Sequence, residues 1–152
     1  MQKALLGPFF RLDRYTLVMT SSTPISQTDD SLDSFLVEPQ SLLTAFTNLD
    51  GLIIDARSPE AYAAGHIPGA ISVSTYDYFV PNTKPEGMRA FSNQAAALYG
   101  AAGIALDTPV LVYDDDTGVR VARECWLLEY LGHRNVRLLH GGLNACLLYT
   151  SP

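Results

Sequence analysis

Apolar and polar positions change their spacing several times between residues 37 and 145. Short apolar runs that end in polar or turn-forming residues are typical of buried strands, and they lie at 51–55, 70–73, 109–113 and 136–140. Stretches with one apolar face predict helices at 38–46, 58–65, 88–104 and 118–132. Strand and helix therefore alternate. This order predicts an α/β sandwich whose central, mainly parallel sheet is flanked by helices.

Helix boundary signals and turn residues agree with this division. Ser58 can cap the second helix, and Gly65 can end it. Gly132 closes the helix that begins at residue 118. Two prolines and a glycine between residues 78 and 87 predict a loop before the third helix.

Composition and charge exclude several classes of protein. The chain has 152 residues, 47% of them hydrophobic, which is enough for one domain with a core. Its net charge of -6 and its lack of a Lys/Arg cluster argue against nucleic-acid or anionic-membrane partners. Cys125 and Cys146 form neither a disulfide framework nor a zinc motif. We therefore expect no bound metal and a reducing, cytoplasmic setting.

The two ends of the chain differ from its middle. Pro8 and Asp13 interrupt the short apolar run near the N-terminus, so no signal peptide or membrane span is predicted. Residues 1–36 are interpreted as a disordered or mis-started extension, with an organelle transit peptide as the alternative. Residues 37–145 form the predicted domain. The tail CLLYTSP, residues 146–152, matches the translation of a sequencing-library adapter and is interpreted as non-native.

The candidate site is the stretch VYDDDTGVR, which runs from a predicted strand into a predicted helix. Ligands of open α/β sheets bind where strands end and loops lead into helices. Gly118 allows a ligand to come close to the backbone there, and Arg120 lies near the first helical turn. These features are typical of an anion-binding loop. Three consecutive carboxylates, Asp114, Asp115 and Asp116, oppose that use.

Three interpretations of the carboxylates remain open. They can form a solvated turn that caps the next helix, because Asp is common at caps and turns. They can also hold a metal ion. The third interpretation is an aspartate nucleophile, since the stretch resembles the loop of haloacid-dehalogenase-like phosphatases, although that motif requires Thr or Val where Gly118 stands.

Two longer segments resemble the rhodanese-type sulfurtransferase family. DARSPEAYAAGHIPGAISV is similar to the family's early motif, in which Asp-x-Arg precedes a short helix and Gly-His-Ile-Pro-Gly-Ala. VLVYDDDTGVRVARECWLLEYLGHRNVRLLHGGLNA is similar to its later block, which ends in Gly-Gly. The resemblance implies a rhodanese-like three-layer sandwich and, in active members, a loop cysteine that carries sulfur as a persulfide. Thiosulfate or 3-mercaptopyruvate is then the donor, cyanide or a thiol is the acceptor, and no cofactor is implied.

The chain departs from the family pattern at the reacting atom. Active members read Tyr-Cys-x-x-Gly-x-Arg, whereas Tyr113 is followed here by a longer loop without cysteine, called the acidic loop below: Asp114, Asp115, Asp116, Thr117, Gly118, Val119 and Arg120. Asp114 or Asp115 takes the place of the cysteine, depending on the end from which the loop is aligned. Neither can form a persulfide, and the carboxylates repel an anionic donor. We therefore expect no catalytic residue in this chain.

An acidic, cysteine-free loop resembles the one in the first domain of tandem family members. The resemblance implies a non-catalytic N-terminal domain, whose partner is a C-terminal rhodanese domain of the same chain that binds the small sulfur-donor anion. A stand-alone binding or regulatory module without turnover is the alternative, and a phosphatase is the third candidate. Asp55, Arg57, His66 and Gly69 are interpreted as structural motif residues, and Cys125 as a core residue.

Overall fold

A five-stranded parallel sheet forms the centre of the described fold. The computed structural model describes residues 35–45 and 51–150, so the predictions for residues 1–34, Phe46 and residues 151–152 lie outside it. The strands are β1 (Leu36–Val37), β2 (Leu52–Asp55), β3 (Ala70–Ser72), β4 (Val110–Tyr113) and β5 (Val136–Leu139). They lie in the order β1-β5-β4-β2-β3, and every pairing is parallel. The predicted fold class is confirmed.

Helices cover both faces of this sheet. Those within the described residues are α1 (Pro39–Ala45), α2 (Pro59–Ala64), α3 (Pro85–Ala101), α4 (Val119–Tyr130) and α5 (Gly142–Thr150). One buried apolar cluster joins the sheet to α3 and α4, through residues such as Phe91 and Leu127. A second cluster joins the sheet to α1 and α5, through Leu42 and Cys146. The sheet therefore lies between two helical layers.

Two elements near the predicted boundaries differ from the sequence prediction. β1 is too short to show a pattern of its own, and it forms because Leu36 pairs with Leu138 and Val37 with Leu139 in β5. α3 begins at Pro85, within the stretch predicted to be a loop. Proline suits the first turn of a helix, because its missing N–H has no intrahelical partner there in any case.

α5 extends through residues that the sequence interpretation assigns to a non-native tail. It runs from Gly142 to Thr150, and Cys146 within it is 8% exposed and packs in the cluster that contains Leu139. The sequence interpretation did not predict this helix, because it left residues 146–152 out of fold reasoning as a non-native tail. The division between residues 37–145 and 146–152 stays a prediction.

A buried polar network joins α3, α4 and the segment after β3. Glu124 is 1% exposed. Its carboxylate accepts hydrogen bonds from the Thr75 hydroxyl at 2.8 Å, from the Tyr99 hydroxyl at 2.5 Å and from the Thr75 N–H. Burial raises the pKa of Glu124 by more than these donors lower it. The network fixes α4 against α3 and thereby positions the helix that follows the acidic loop.

Candidate functional site

The acidic loop lies at the C-terminal ends of the neighbouring strands β2, β4 and β5. Asp55 and Tyr113, the last residues of β2 and β4, are paired neighbours there. The chain after β5 comes so close that a Cβ atom on Gly142 would lie 2.5 Å from the Asp114 carbonyl oxygen. Gly142 also has a φ of 58°, a left-handed conformation that glycine adopts without strain. Glycine at this position therefore allows the loop to pack on the start of α5.

Asp114 directs its carboxylate into the loop and is only 5% exposed. The carboxylate accepts hydrogen bonds from the N–H of Gly118 at 3.1 Å and from the N–H of Val121 at 3.3 Å. Both donors lie at the start of α4, the positive end of the helix dipole. The loop thus holds an anion of its own at the helix N-terminus. This arrangement agrees with the interpretation of the acidic stretch as a capping turn.

The start of α5 holds the outer part of the acidic loop. The carbonyls of Asp114 and Asp115 accept hydrogen bonds from the N–H groups of Leu143 and Asn144, at 2.9 and 3.0 Å. The Asn144 side-chain amide also donates to the Asp116 carboxylate at 2.8 Å. Backbone and side-chain bonds from one helix end therefore fix all three aspartates of the loop.

Sequence analysis did not identify the residues after β5 as part of this site. Besides its neighbour Gly142, Gly141 contributes directly, because its N–H donates to Thr117 Oγ1 at 2.7 Å. The available signal was the pair of glycines directly after a predicted strand. Glycine in such a place indicates that another part of the backbone comes close.

A buried ion pair between Asp55 and Arg57 supports the loop from the end of β2. Asp55 is fully buried, and Arg57 donates to it through Nε at 3.0 Å and through Nη2 at 2.7 Å. The Tyr113 hydroxyl donates to the same carboxylate at 2.6 Å. Burial alone would raise the pKa of Asp55, but the hydrogen bonds from Arg57 and Tyr113 outweigh it and lower that pKa. The carboxylate therefore stays ionised and fixes the orientation of the arginine.

Arg57 also links the acidic loop to α2. Its Nη1 donates to Asp115 at 3.1 Å, and its Nη2 donates to the Gly65 carbonyl at 2.6 Å. The Asp115 side chain is 63% exposed, so water screens this outer pair, whereas the pair with Asp55 is buried. The fold thus joins the two motifs that the sequence places far apart.

His66 and Gly69 lie in the turn between α2 and β3. The His66 ring stacks on Tyr62 with 3.9 Å between centroids, and its Nδ1 lies 3.0 Å from the Tyr62 carbonyl oxygen. Gly69 has a left-handed φ of 84°, which favours glycine. The Ile67 N–H donates to the Tyr113 hydroxyl at 3.1 Å, which connects this turn to the end of β4.

Val119 and Arg120 form the outer part of the first turn of α4. Val119 is 65% exposed. The Arg120 guanidinium carbon lies 4.1 Å from the centroid of the Tyr76 ring, a cation–π contact. Among the described residues, Arg120 forms no ion pair with Asp114, Asp115 or Asp116. The side chain that sequence analysis placed in an anion cradle therefore rests on an aromatic ring.

Neither cysteine is placed as a nucleophile. Cys125 is 2% exposed, and burial raises its pKa to about 12. Burial also raises the pKa of Cys146. The thiolate is the reactive form of cysteine, so both side chains are inert thiols at neutral pH. The predicted core position of Cys125 is confirmed.

Two further findings concern the described residues as a whole. No group of three or more His, Cys, Asp or Glu side chains in that part of the chain is arranged to hold a metal ion. None of its helices is both long enough and apolar enough to cross a bilayer.

The fold agrees with comparisons to known proteins. The profile of the rhodanese-like domain family matches residues 38–147, and the chain belongs to this family. It is 31% identical over 117 residues to the thiosulfate sulfurtransferase of Azotobacter vinelandii, covering 77% of this chain and 43% of that protein. The thiosulfate sulfurtransferase of Pseudomonas aeruginosa is 32% identical over 110 residues, covering 72% of this chain and 41% of the relative.

A solved structure agrees with this assignment. SseA from Escherichia coli, a 3-mercaptopyruvate sulfurtransferase with the rhodanese fold, superimposes with a TM-score of 0.59 at 25% identity. The match covers 76% of this chain and 49% of SseA. The chain therefore spans less than half the length of each of these relatives.

Proposed function

We propose that this chain is a non-catalytic, N-terminal rhodanese domain of a longer sulfurtransferase. The parent enzyme moves sulfane sulfur from thiosulfate or 3-mercaptopyruvate to a thiol or cyanide acceptor. One observation carries the proposal: the Asp114 carboxylate accepts the helix N–H groups in the loop where active family members place a persulfide cysteine.

A carboxylate in that position opposes sulfur transfer at each step. A persulfide forms when a thiolate attacks the outer sulfur of thiosulfate and the S–S bond of the donor breaks to release sulfite, and Asp114 has no sulfur with which to attack. Its charge also repels an anionic donor, since two like charges about 4 Å apart interact by roughly 4 kcal/mol near a protein surface. The Gly118 and Val121 N–H groups are already bonded to Asp114, so they are not available to a donor anion.

The length of the relatives supports a partner domain in the same polypeptide. The region matched here makes up 43% and 41% of the two bacterial thiosulfate sulfurtransferases. We propose that a C-terminal rhodanese domain carries the loop cysteine and binds the small sulfur-donor anion. We also propose that the N-terminal domain formed by the present chain packs against that C-terminal domain. We also propose a cytoplasmic location, because Cys125 forms no disulfide among the described residues, as expected in a reducing compartment.

Long sequencing reads across the gene test the proposal. We expect the reading frame to continue beyond Ala145 into a second rhodanese-type domain with a Cys-x-x-Gly-x-Arg loop. The full-length protein should then transfer sulfur from thiosulfate to cyanide, while residues 1–152 alone should not. A gene that stops soon after Ala145 would contradict the proposal and favour a stand-alone binding or regulatory module without turnover.

A further inference from the structure

Three large apolar side chains, two on α4 and one in the loop before α3, are largely exposed in the described structure. Val119, Trp126 and Phe79 are 65%, 56% and 74% exposed. Val119 and Trp126 share one face of the helix. Phe79 adjoins them through Arg123, whose guanidinium carbon lies 5.9 Å from the centroid of the Phe79 ring. These residues and Arg120 are called the α4 surface below.

Two guanidinium groups on the α4 surface have no carboxylate partner among the described residues. Arg120 rests on Tyr76, and Arg123 donates to the Tyr78 carbonyl. The α4 surface therefore suits a partner that presents apolar side chains together with carboxylate or carbonyl oxygens.

A stacking contact within α4 orients Trp126, the largest side chain of the α4 surface. The Trp126 ring stacks on Tyr130 with 5.2 Å between centroids and 15° between planes. Tryptophan and arginine are the residues that most often dominate the binding energy of interfaces, especially when their conformation is fixed beforehand.

We propose that the α4 surface is the docking face for the second rhodanese-type domain of the parent protein, which supplies acceptor oxygens to Arg120 and Arg123. This inference rests on the proposed function. The matched relatives are more than twice as long as the matched region, which leaves room for such a domain. The α4 surface shares Val119 and Arg120 with the acidic loop, so the docked domain lies beside Asp114.

Hydroxyl-radical footprinting read by mass spectrometry tests this inference at single residues. The 152-residue chain and the full-length protein are oxidised in parallel. We expect the modification rates of Trp126 and Phe79 to fall several-fold in the full-length protein. Phe35, which directly precedes β1 and is 46% exposed, is the matched control and should react equally in both.

The outcomes separate this inference from the proposed function. If a second domain is present and Trp126 reacts as fast as in the short chain, the inference is wrong and the proposed function stands. If the gene encodes no second domain, both are wrong. If Trp126 becomes protected in the short chain as its concentration rises, the α4 surface binds a second copy of this chain, and the inference is wrong.

A pair of substitutions provides an independent measurement on the full-length protein. Trp126→Ala combined with Phe79→Ala should uncouple the two domains, so that calorimetry resolves two unfolding transitions in place of one. Phe35→Ala should leave the unfolding profile unchanged. Because Trp126 and Phe79 are exposed within this domain, their loss does not open its core. An unchanged single transition in the double variant would contradict the inference.

Discussion

The Asp114 carboxylate lies 3.1 Å from the Gly118 N–H, so the acidic loop supplies the anion at the start of α4 from its own sequence. The bond from Val121 adds a second helix donor to the same carboxylate. This relationship explains why a loop of an anion-binding shape contains an aspartate at its first position. The carboxylate acts as a cap, and it occupies the helix donors that an external anion would need.

Replacing Asp114 with alanine should lower the free energy of unfolding by about 1–2 kcal/mol, because the capped N–H groups lose their acceptor. Asp114→Asn retains an acceptor oxygen and should lose less. Asp116→Ala removes only the exposed hydrogen bond from Asn144, so it is the control and should change stability by less than about 0.5 kcal/mol. Urea unfolding followed by circular dichroism measures all three. Wild-type stability in Asp114→Ala would contradict the capping role.

Removing the charge of Arg57 should affect stability far more than removing that of Asp115. Arg57→Met leaves the buried Asp55 carboxylate without its cation, and loss of one partner in a buried pair costs about 3–5 kcal/mol. Asp115→Asn breaks only the solvent-screened pair, which is worth less than about 1 kcal/mol. The same urea titration compares the two variants. Similar losses of stability in the two variants would contradict this expectation, because they would mean that the exposed pair with Asp115, and not the buried pair with Asp55, stabilises the fold.

A methyl group on Gly142 should push the acidic loop away from α5. Gly142→Ala places a Cβ atom 2.5 Å from the Asp114 carbonyl oxygen and forces a left-handed φ on alanine, so we expect a loss above about 1–2 kcal/mol. NMR should show shifted amide resonances at Asp115 and Asn144. Gly100→Ala is the matched control, since its Cβ meets nothing within 4 Å and a helical alanine gains about 0.5–1 kcal/mol. Unmoved resonances in Gly142→Ala would contradict the close approach.

Glu124 should make the fold less stable as the pH rises. Its folded-state pKa lies above the ordinary value of 4.5, so the folded protein binds the proton more tightly than the unfolded chain does. The free energy of unfolding therefore falls as the pH rises from 4.5 through the raised pKa. Each unit by which folding raises the pKa of Glu124 corresponds to about 1.4 kcal/mol in the free energy of unfolding.

Glu124→Gln isolates this contribution from those of other titrating groups. The stability of the variant relative to wild type should increase across the same pH range and then level off. Asp55 acts in the opposite direction in both proteins, and so does His133, a buried residue after α4 whose pKa is lowered by burial. Because both pKa values are lowered, these groups destabilise the fold as the pH falls. A difference between variant and wild type that does not vary with pH would contradict a raised Glu124 pKa.

The alternation of strands and helices could be predicted because the apolar residues of each long element follow a pattern that is typical of a buried strand or of a helix with one buried face. β4 reads as one apolar run, and it is buried along its whole length. α4 has one buried face, and it begins after the glycine expected at its start. β1 and α5 could not be predicted in this way. β1 forms only through its pairing with β5, and α5 runs into residues 146–152, which the sequence interpretation set aside as a non-native tail.

The candidate loop was found from its own residues, but the bonds that define it come from elsewhere in the chain. Arg57 reaches Asp115 from the end of β2, and Asn144 reaches Asp116 from α5. Such contacts depend on which strands become neighbours, and no local pattern encodes that. The sequence indicated that aspartates could cap the next helix. Only the folded chain shows that Asp114 is the one that does so.

Sulfur transfer by residues 1–152 tests the central claim most directly. The purified chain is incubated with thiosulfate or 3-mercaptopyruvate, its intact mass is measured, and cyanide is then added to release any sulfane sulfur as thiocyanate. If the Asp114 carboxylate has replaced the reactive sulfur, the mass stays unchanged and no thiocyanate forms. A sulfur atom covalently bound to the chain and released by cyanide would contradict this account.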